Sequence, residues 1–406
     1  MSWWPASGSS ATVACCAGTK PPSARGASKR RNDCGRKPMA DLQVRVAGVT
    51  FRNPLIISSG PLTFNAEAIL KAWRAGASGA VTKTITLHPA VNPTPHIARA
   101  DPPGSLLNTE KWSDLPAEQW IREEIPALRR AGGVIIASVG HTAADVEALA
   151  APLAEAGAHM LEVVSYNGAD MAPAIRAAKA ATDVPVFAKV SANWPNLMEI
   201  VEDCLRSGAD GITAIDSIGP ALAIDIDNRR PRLDGRLGFA WLSGAAIKPV
   251  AVRVAAEIAL RWDVPILGVG GIGRAEDVVE MMMAGATAVQ AHTAPLLTGL
   301  DWIGKTLKRL NAWLDAHGIA SVAEISRSAL PSLRDAEDSR PLEFRYDPDT
   351  CTECQRCTLV CAYGALRLAG KQMTRDRALC RSCGLCASVC PTSALRIAGK
   401  TDNAAR

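Results

Sequence analysis

No apolar run in this chain approaches the roughly 18 residues that a membrane-spanning helix needs, so no such helix is expected. Cysteine is scarce before Cys351: Cys204 stands alone in a helical pattern, and Cys15, Cys16 and Cys34 lie in the N-terminal tail. A disulfide scaffold of the secreted type therefore does not fit, whereas a reducing cytoplasm does. Aromatic residues make up only 4% of the chain and are not interleaved with a basic patch, which argues against nucleic-acid binding. The 406 residues are 48% hydrophobic and 21% charged. That is the composition of one large globular domain with a small one beside it.

The net charge of +5 is unevenly placed. Lys20, Arg25, Lys29, Arg30, Arg31, Arg36 and Lys37 stand against Asp33 alone, so the basic character belongs to residues 1–38. That segment is rich in Ser, Gly, Pro, Ala and Arg and has no hydrophobic period with which to bury surface. No apolar stretch follows Arg30-Arg31, so a twin-arginine export signal is not expected. A disordered tail or an upstream-translated extension is expected, with a transit peptide left open because acids are scarce. Met39 directly precedes the first patterned segment.

From there the pattern becomes regular. Leu42 to Phe51 alternates and turns at Ala47-Gly48, which reads as a hairpin. Eight apolar runs follow: Pro54–Gly60, Ala80–Ile85, Val134–Gly140, Met160–Asn167, Pro185–Val190, Gly211–Ser217, Pro265–Gly271 and Ala288–Thr293. Helical patterns separate them, including Asn65–Ala75, Ala143–Ala156, Leu197–Ser207, Ile247–Trp262 and Ala275–Ala284, with a last one near Leu300–His317. Strands buried on both faces read as such continuous runs. Eight strand–helix units over roughly 250 residues predict a (β/α)₈ TIM barrel. Four helices end alike, at Gly76, Gly157, Gly208 and Gly285, each followed by Ala. Glycine there can take the left-handed conformation that closes a helix before the next strand. The barrel is assigned to residues 39–320, a linker to 321–345 and a small module to 346–400.

The small module carries its chemistry openly. Cys351, Cys354, Cys357 and Cys361 repeat as Cys380, Cys383, Cys386 and Cys390, each 29 residues later. The residues that follow repeat too, Ala365 to Lys371 against Ala394 to Lys400, so the module is an internal duplication. Thiolates two residues apart on a tight loop can converge on one cubane, while the fourth cysteine of each run reaches the other. One [4Fe–4S] cluster should then take Cys351, Cys354, Cys357 and Cys390. The second should take Cys380, Cys383, Cys386 and Cys361. Paired structural zinc sites are the alternative, since Cys-x-x-Cys also binds zinc, but this spacing, twice, fits clusters better. Ala362 stands where such modules usually have proline, a departure that removes no ligand.

In the barrel, Gly268-Val-Gly270-Gly-Ile-Gly273 follows a strand and matches a dinucleotide fingerprint. That fold needs an acid about 20 residues on; Gln290-Ala-His292-Thr-Ala has none. The loops after the seventh and eighth strands of a barrel often hold a phosphate on backbone N–H groups, so a flavin phosphate site is expected there; glycines serving only turns are the alternative. Lys83 and Lys189 end the second and fifth runs. A lysine in an apolar strand is costly to bury unpaired, so each is either a structural ion pair or a cation facing a polar ligand.

Taken together, Asn53-Pro-Leu-Ile-Ile-Ser-Ser59, Val81-Thr-Lys83-Thr, Ser105-Leu-Leu-Asn108, Phe187-Ala-Lys189-Val, Ser243-Gly-Ala-Ala-Ile-Lys-Pro249 and Gly270-Gly-Ile resemble the dihydroorotate and dihydropyrimidine dehydrogenase family. The resemblance covers most of residues 42–320, and the appended cluster module resembles the dihydropyrimidine branch. It implies FMN contacts from Ser59, Lys83, Thr84, Lys189, Ser217, Ser243, Gly244, Gly270, Gly271, His292 and Thr293. Asn108 and Asn167 match asparagines on the substrate side, and Ser165 falls where the dihydroorotate enzymes place their proton-transfer residue. Tyr166 is a second candidate for that proton.

The chain departs from the family after the fourth strand. It reads Glu162-Val-Val-Ser165-Tyr-Asn167 instead of Asn-x-Ser-(Cys or Ser)-Pro-Asn. The longer cysteine-bearing loop of the dihydropyrimidine enzymes is missing. Glu162 and Asp216 stand where asparagines hold the pyrimidine. An ionised carboxylate only accepts hydrogen bonds, whereas an amide also donates. A substrate that presents donors or positive charge is expected, and efficient uracil or thymine reduction is not. The plainer alternative is that both acids pair with Lys83 or Lys189.

The reading is an FMN- and iron–sulfur-dependent oxidoreductase that passes hydride between FMN and a small cyclic, pyrimidine-like substrate. The two clusters relay electrons singly. Its rival is a non-catalytic electron-transfer or redox-sensing subunit that keeps the barrel as scaffold. No second dinucleotide domain with its own FAD or NAD(P) signature is present. A partner flavoprotein subunit binding FAD and NAD(P), or a soluble ferredoxin, is therefore expected to exchange electrons, and the assembly is expected to be oligomeric. No nucleic-acid or membrane partner is expected.

Overall fold

The computed structural model describes residues 40–333 and 342–399. The N-terminal tail with Cys15, Cys16 and Cys34, residues 334–341 of the expected linker and Lys400 of the second repeat lie outside the described residues.

Each apolar run becomes one strand: β1 Leu55–Ile57, β2 Gly79–Val81, β3 Val134–Val139, β4 Met160–Val164, β5 Val186–Val190, β6 Gly211–Ala214, β7 Ile266–Val269 and β8 Ala288–Ala291. Every strand pairs in parallel with the next, and β8 closes on β1 through Val289↔Leu55, Gln290↔Ile56 and Ala291↔Ile57. The expected TIM barrel is therefore present. Val44–Val46 and Val49–Phe51 form the expected hairpin, which sends Phe51 into the core fully buried.

The helices alternate with the strands and bury one face each. In Ala66–Arg74 the buried side chains are Ala66, Ile69, Ala72 and Trp73, the spacing of a helix packed on one side. Asn65 caps it by accepting the Ala68 N–H at 2.9 Å, and Thr142 with Asp145 forms a capping box on Ala143–Glu155. Gly76, Gly157, Gly208 and Gly285 take φ of 119°, 117°, 99° and 125°. A side chain is strained there, which accounts for the repeated glycine.

Two features differ from the sequence reading. The loops after β2 and β6 are not plain connections. They build a four-stranded antiparallel sheet in the order Ile218–Ala221, Ala240–Gly244, Ser105–Asn108 and Ile97–Ala100. Residues 321–333, read as the start of a linker, instead pack on the barrel. Val322 and Ile325 are buried in its core. The Asp41 N–H donates to the Ala320 carbonyl and the Val322 N–H to the Asp41 carbonyl, each at 2.8 Å. The Arg327 guanidinium donates to the Val264 carbonyl at 3.0 Å.

The cysteine module is a pseudo-symmetric pair of halves. Leu342–Tyr346 pairs with Leu395–Gly399, and Leu366–Ala369 with Gln372–Arg375, both antiparallel. One-turn helices Arg356–Leu359 and Leu385–Ser388 occupy equivalent places. The duplication extends upstream of the cysteines: the Asp347 N–H donates to Ala394 and the Asp376 N–H to Ala365, each at 2.8 Å.

A test of the barrel packing lies at Gly211. A Cβ there would come within 2.3 Å of the Phe187 ring and 2.7 Å of the Pro265 carbonyl oxygen. Gly211→Ala is expected to destabilise the protein by about 1–3 kcal/mol through overpacking. Denaturant unfolding measures it, and an unchanged midpoint would contradict this packing.

Candidate active site and cluster sites

Parallel closure places the C-terminal ends of all eight strands on one rim, and the site is built there. A cavity of about 600 Å³ opens among the loops. Its wall includes Ser59, Lys83, Thr84, Asn108, Ser165, Lys189, Asp216, Ser217, Ser243, Gly244, Gly270, Gly271, His292 and Thr293. Two of the expected site residues lie off that wall. Glu162 is fully buried behind it. Asn167 is exposed and caps a turn, its side-chain oxygen accepting the Ala169 N–H at 3.2 Å.

The two lysines are both buried and both paired. Lys83 Nζ lies 2.9 Å from Glu110 Oε1 and 3.7 Å from Asp114 Oδ1. Lys189 Nζ lies 3.7 Å from Glu162 Oε1 and 3.5 Å from Asp216 Oδ1. Burial opposes the charge on Lys189, but Asp216 and Glu162 outweigh it and raise its pKa. The lysine therefore stays an ammonium. Glu162 is held in turn by Thr213 and Gln290, whose side chains each donate to its Oε2 at 2.9 Å. The plainer expectation for Glu162 and Asp216, pairing with a lysine, is what the structure contains. The Lys83 partners Glu110 and Asp114 were not anticipated. They sit on an irregular loop after Asn108, where no period marks them.

Toward the glycine loop the wall changes character. Gly270 and Gly271 take φ of 120° and 78°, and a Cβ on Gly271 would meet Lys248 Cβ at 2.3 Å. Among the described residues their N–H groups have no acceptor. Unpaired backbone donors beside a cavity suit a phosphate. The third glycine of the motif serves the turn itself: the N–H groups of Gly273 and Arg274 donate to Asp277 Oδ2 at 2.9 and 3.0 Å. The cavity thus combines free backbone donors with buried ammonium groups, which fits a phosphate-bearing flavin such as FMN.

The His292 ring serves the barrel. Its Nδ1–H donates to the Ser58 carbonyl at 2.7 Å, and its Nε2 accepts the Leu62 N–H at 3.3 Å. Burial, with Lys189 and Lys83 nearby, pushes its pKa down to about 4 despite the Ser58 contact. A neutral imidazole therefore ties the loop after β8 to the loop after β1. Both ring nitrogens are committed to these contacts.

Sequence reasoning also missed the aromatic wall. His141 stacks on Tyr166 at 4.5 Å between ring centroids, Tyr166 faces Trp241 at 6.0 Å, and Trp112 meets His141 edge-on at 5.2 Å. All four line the cavity. Burial, then Asp216, pushes the Tyr166 hydroxyl up to about 12. The Ser165 hydroxyl accepts the Asn167 N–H at 3.2 Å, which leaves its own proton free.

In the small module the eight thiols surround two hollows. Cys351, Cys354, Cys357 and Cys390 line one, and Cys361, Cys380, Cys383 and Cys386 line the other. This is the crossed grouping expected from the spacing. Left-handed residues recur in register: Glu353 with Ser382 at φ of 55° and 54°, and Gln355 with Gly384 at 59° and 82°. These bends turn successive thiols to one side. Among the described residues no three His, Cys, Asp or Glu side chains converge closely enough for a metal ion. A ring of thiols around a hollow suits a cubane, which is wider than a single zinc.

The family model described as "Dihydroorotate dehydrogenase" matches residues 41–314, and that for a "4Fe-4S dicluster domain" matches residues 350–394. The chain is 33% identical over 306 residues to the "Dihydroorotate dehydrogenase B (NAD(+)), catalytic subunit" of Pyrococcus abyssi, covering 71% of this chain and 99% of that one. Its counterpart in Geotalea uraniireducens is 34% identical over 304 residues, covering 70% and 97%. That of Methanothermobacter thermautotrophicus is 33% identical over 300 residues, covering 70% and 97%.

The His292 latch predicts a pH dependence. The unfolded chain takes up a proton near the ordinary value of 6.5, while the folded ring resists until about 4. Its stabilising contribution is complete above 6.5 and is lost as pH falls toward 4. His292→Gln should flatten that part of the stability curve. Denaturant midpoints at about pH 7.5 and about pH 4.5 measure it, and an unchanged slope would contradict the latch.

Proposed function

The chain belongs to the dihydroorotate dehydrogenase family and is an FMN- and iron–sulfur-dependent oxidoreductase acting on CH–CH bonds; we propose how its own residues divide that work. One observation supports the assignment most: unpaired glycine-loop N–H groups and two buried ammonium groups share a single cavity. We place the flavin phosphate on Gly270, Gly271 and the backbone of His292 and Thr293, with Ser59, Thr84, Ser217, Ser243 and Gly244 around the ring system. When bound, FMN supplies hydride chemistry at its N5.

Lys189 sets the charge beside the ring, and Glu162 and Asp216 hold it there. Lys83 orders the facing wall through Glu110. Ser165 handles the second proton: its hydroxyl reaches the cavity and its own hydrogen is not committed. Tyr166 is the less available donor, because its ring is held in the stack between His141 and Trp241. Asn108 stays on the substrate side, its amide donating to the Trp241 carbonyl at 3.3 Å. Glu162 acts on substrate only through Lys189, and Asn167 orders the loop behind Ser165.

The electron partner is proposed to be an FAD- and NAD(P)-binding flavoprotein subunit or a soluble ferredoxin, in an oligomeric assembly. No described helix is long and apolar enough to cross a membrane. We place the protein in the cytoplasm, in keeping with its scarce cysteines outside the cluster module.

Anaerobically reconstituted protein should hold about eight irons and about one FMN per chain, and no FAD. Lys83→Met leaves Glu110 and Asp114 facing an apolar chain, and is expected to abolish turnover and weaken FMN retention. Cys354→Ala should keep FMN but block reduction of the flavin from the electron partner. Normal flavin reduction in Lys83→Met, or zinc in place of iron, would overturn the assignment.

A further inference from the structure

Among the described residues of its wall, the cavity offers a ligand no free buried cation. Lys83 and Lys189 are each within 4 Å of two carboxylates, at 2.9 and 3.7 Å and at 3.5 and 3.7 Å. Of the carboxylates, Asp216 and Glu110 lie on the cavity wall themselves. Lys248 and Arg274, at the glycine end, are likewise paired, with Asp277 and with Glu280 or Glu276. Among the described wall residues Lys111 is the remaining cation. It is exposed, its ammonium 6.0 Å from the Trp112 ring centre, where solvent screens it.

A ring carrying a carboxylate would therefore meet acids first. To pair with Lys83 or Lys189 it would have to displace a carboxylate already in place, and leave that group partly buried without its partner. A ring carrying an amine meets the opposite situation. Asp216 is about one-third exposed and turned toward the cavity, its Oδ1 already accepting the Ser217 N–H at 2.8 Å. A carboxylate has capacity for further donors. The wall of Trp112, His141, Tyr166 and Trp241 adds flat apolar surface suited to a planar ring, and such faces favour cations over anions.

We propose that this site takes a planar nitrogen heterocycle bearing an N–H donor or positive charge, held by Asp216 against the Tyr166–Trp241 wall, and excludes carboxylated rings of the dihydroorotate type. The proposal deepens the assignment of this cavity as the substrate site and rests on it. It separates this chain from the relatives it resembles, whose names specify a carboxylated substrate. The His141 imidazole strengthens the preference. Among the described residues its two ring nitrogens are buried without partners, and burial lowers its pKa, so it adds no positive charge to attract an anion.

The test uses the full holoprotein, prepared anaerobically, with FMN content measured on the same sample. Orotate, uracil and cytosine are titrated by calorimetry, which reads binding without turnover. Cytosine, which carries the exocyclic amine, is expected to bind at least about tenfold tighter than orotate, with uracil between them. Asp216→Asn should shrink the cytosine preference, and Glu110→Gln, which frees Lys83 from one acid, should improve orotate binding. Orotate binding as tightly as cytosine, no binding of any of the three, or a preference untouched by both substitutions would overturn the proposal. Protein that lacks FMN yet keeps the cytosine preference would instead count against the flavin assignment, so the two failures are told apart.

Discussion

The closing of β8 on β1 is the constraint on which the rest depends. Three residue pairs, Val289↔Leu55, Gln290↔Ile56 and Ala291↔Ile57, join the ends of an otherwise open parallel sheet. Because every neighbour is parallel, closure brings eight C-terminal strand ends to one rim. Ser59 follows β1, Lys83 and Thr84 follow β2, Ser165 follows β4, Lys189 lies within β5 and Gly270 follows β7. Residues spread over more than half the chain thereby face one cavity. The His292 ring secures the same junction from above, joining the loop after β8 to the carbonyl of Ser58. A neutral imidazole suits this task because each of its nitrogens has a fixed role, one donating and one accepting.

What the rim then manages is buried charge. Taking an ammonium group out of water costs several kcal/mol unless partners restore what hydration provided. The chain meets that cost with carboxylates in excess, two for Lys83 and two for Lys189. Glu162 shows how tightly the arrangement is bound into the fold. It is fully buried, bonded to Thr213 on β6 and Gln290 on β8, and faces Lys189 on β5. One side chain on β4 thus couples four strands around the barrel. An arrangement so deep in the scaffold fixes the electrostatic character of the site before any ligand arrives, and the aromatic wall extends that character outward.

Much of this was legible in the chain itself, because the signals were local and repeated. Continuous apolar runs gave eight strands in the right order, since parallel strands covered on both faces leave no polar alternation. The recurrent Gly-Ala endings marked left-handed helix closures at Gly76, Gly157, Gly208 and Gly285. The 29-residue repeat forecast the crossed thiol rings, and Asp347 and Asp376 extend it. The unread features depend on residues far apart in sequence. Ser105–Asn108 pairs with Ala240–Gly244 across more than a hundred positions, and neither segment alternates enough to mark a strand. Glu110 and Asp114 reach Lys83 from an irregular loop. Val322 and Ile325 lie in a short 3₁₀ turn that has no long period to reveal its burial. Asn167 was placed by motif position alone. The chain bends there into a turn that the asparagine itself caps, so its side chain leaves the cavity.

The central claim is that one chain joins a two-electron carrier in the rim cavity to two one-electron carriers in the thiol rings. Anaerobic reductive titration of the purified holoprotein with a low-potential reductant, followed by visible absorbance, measures this capacity directly. The account predicts uptake of about four electrons per chain, two by the flavin and one by each cluster. An uptake of about two electrons, with the flavin or the clusters missing from the spectrum, would contradict it.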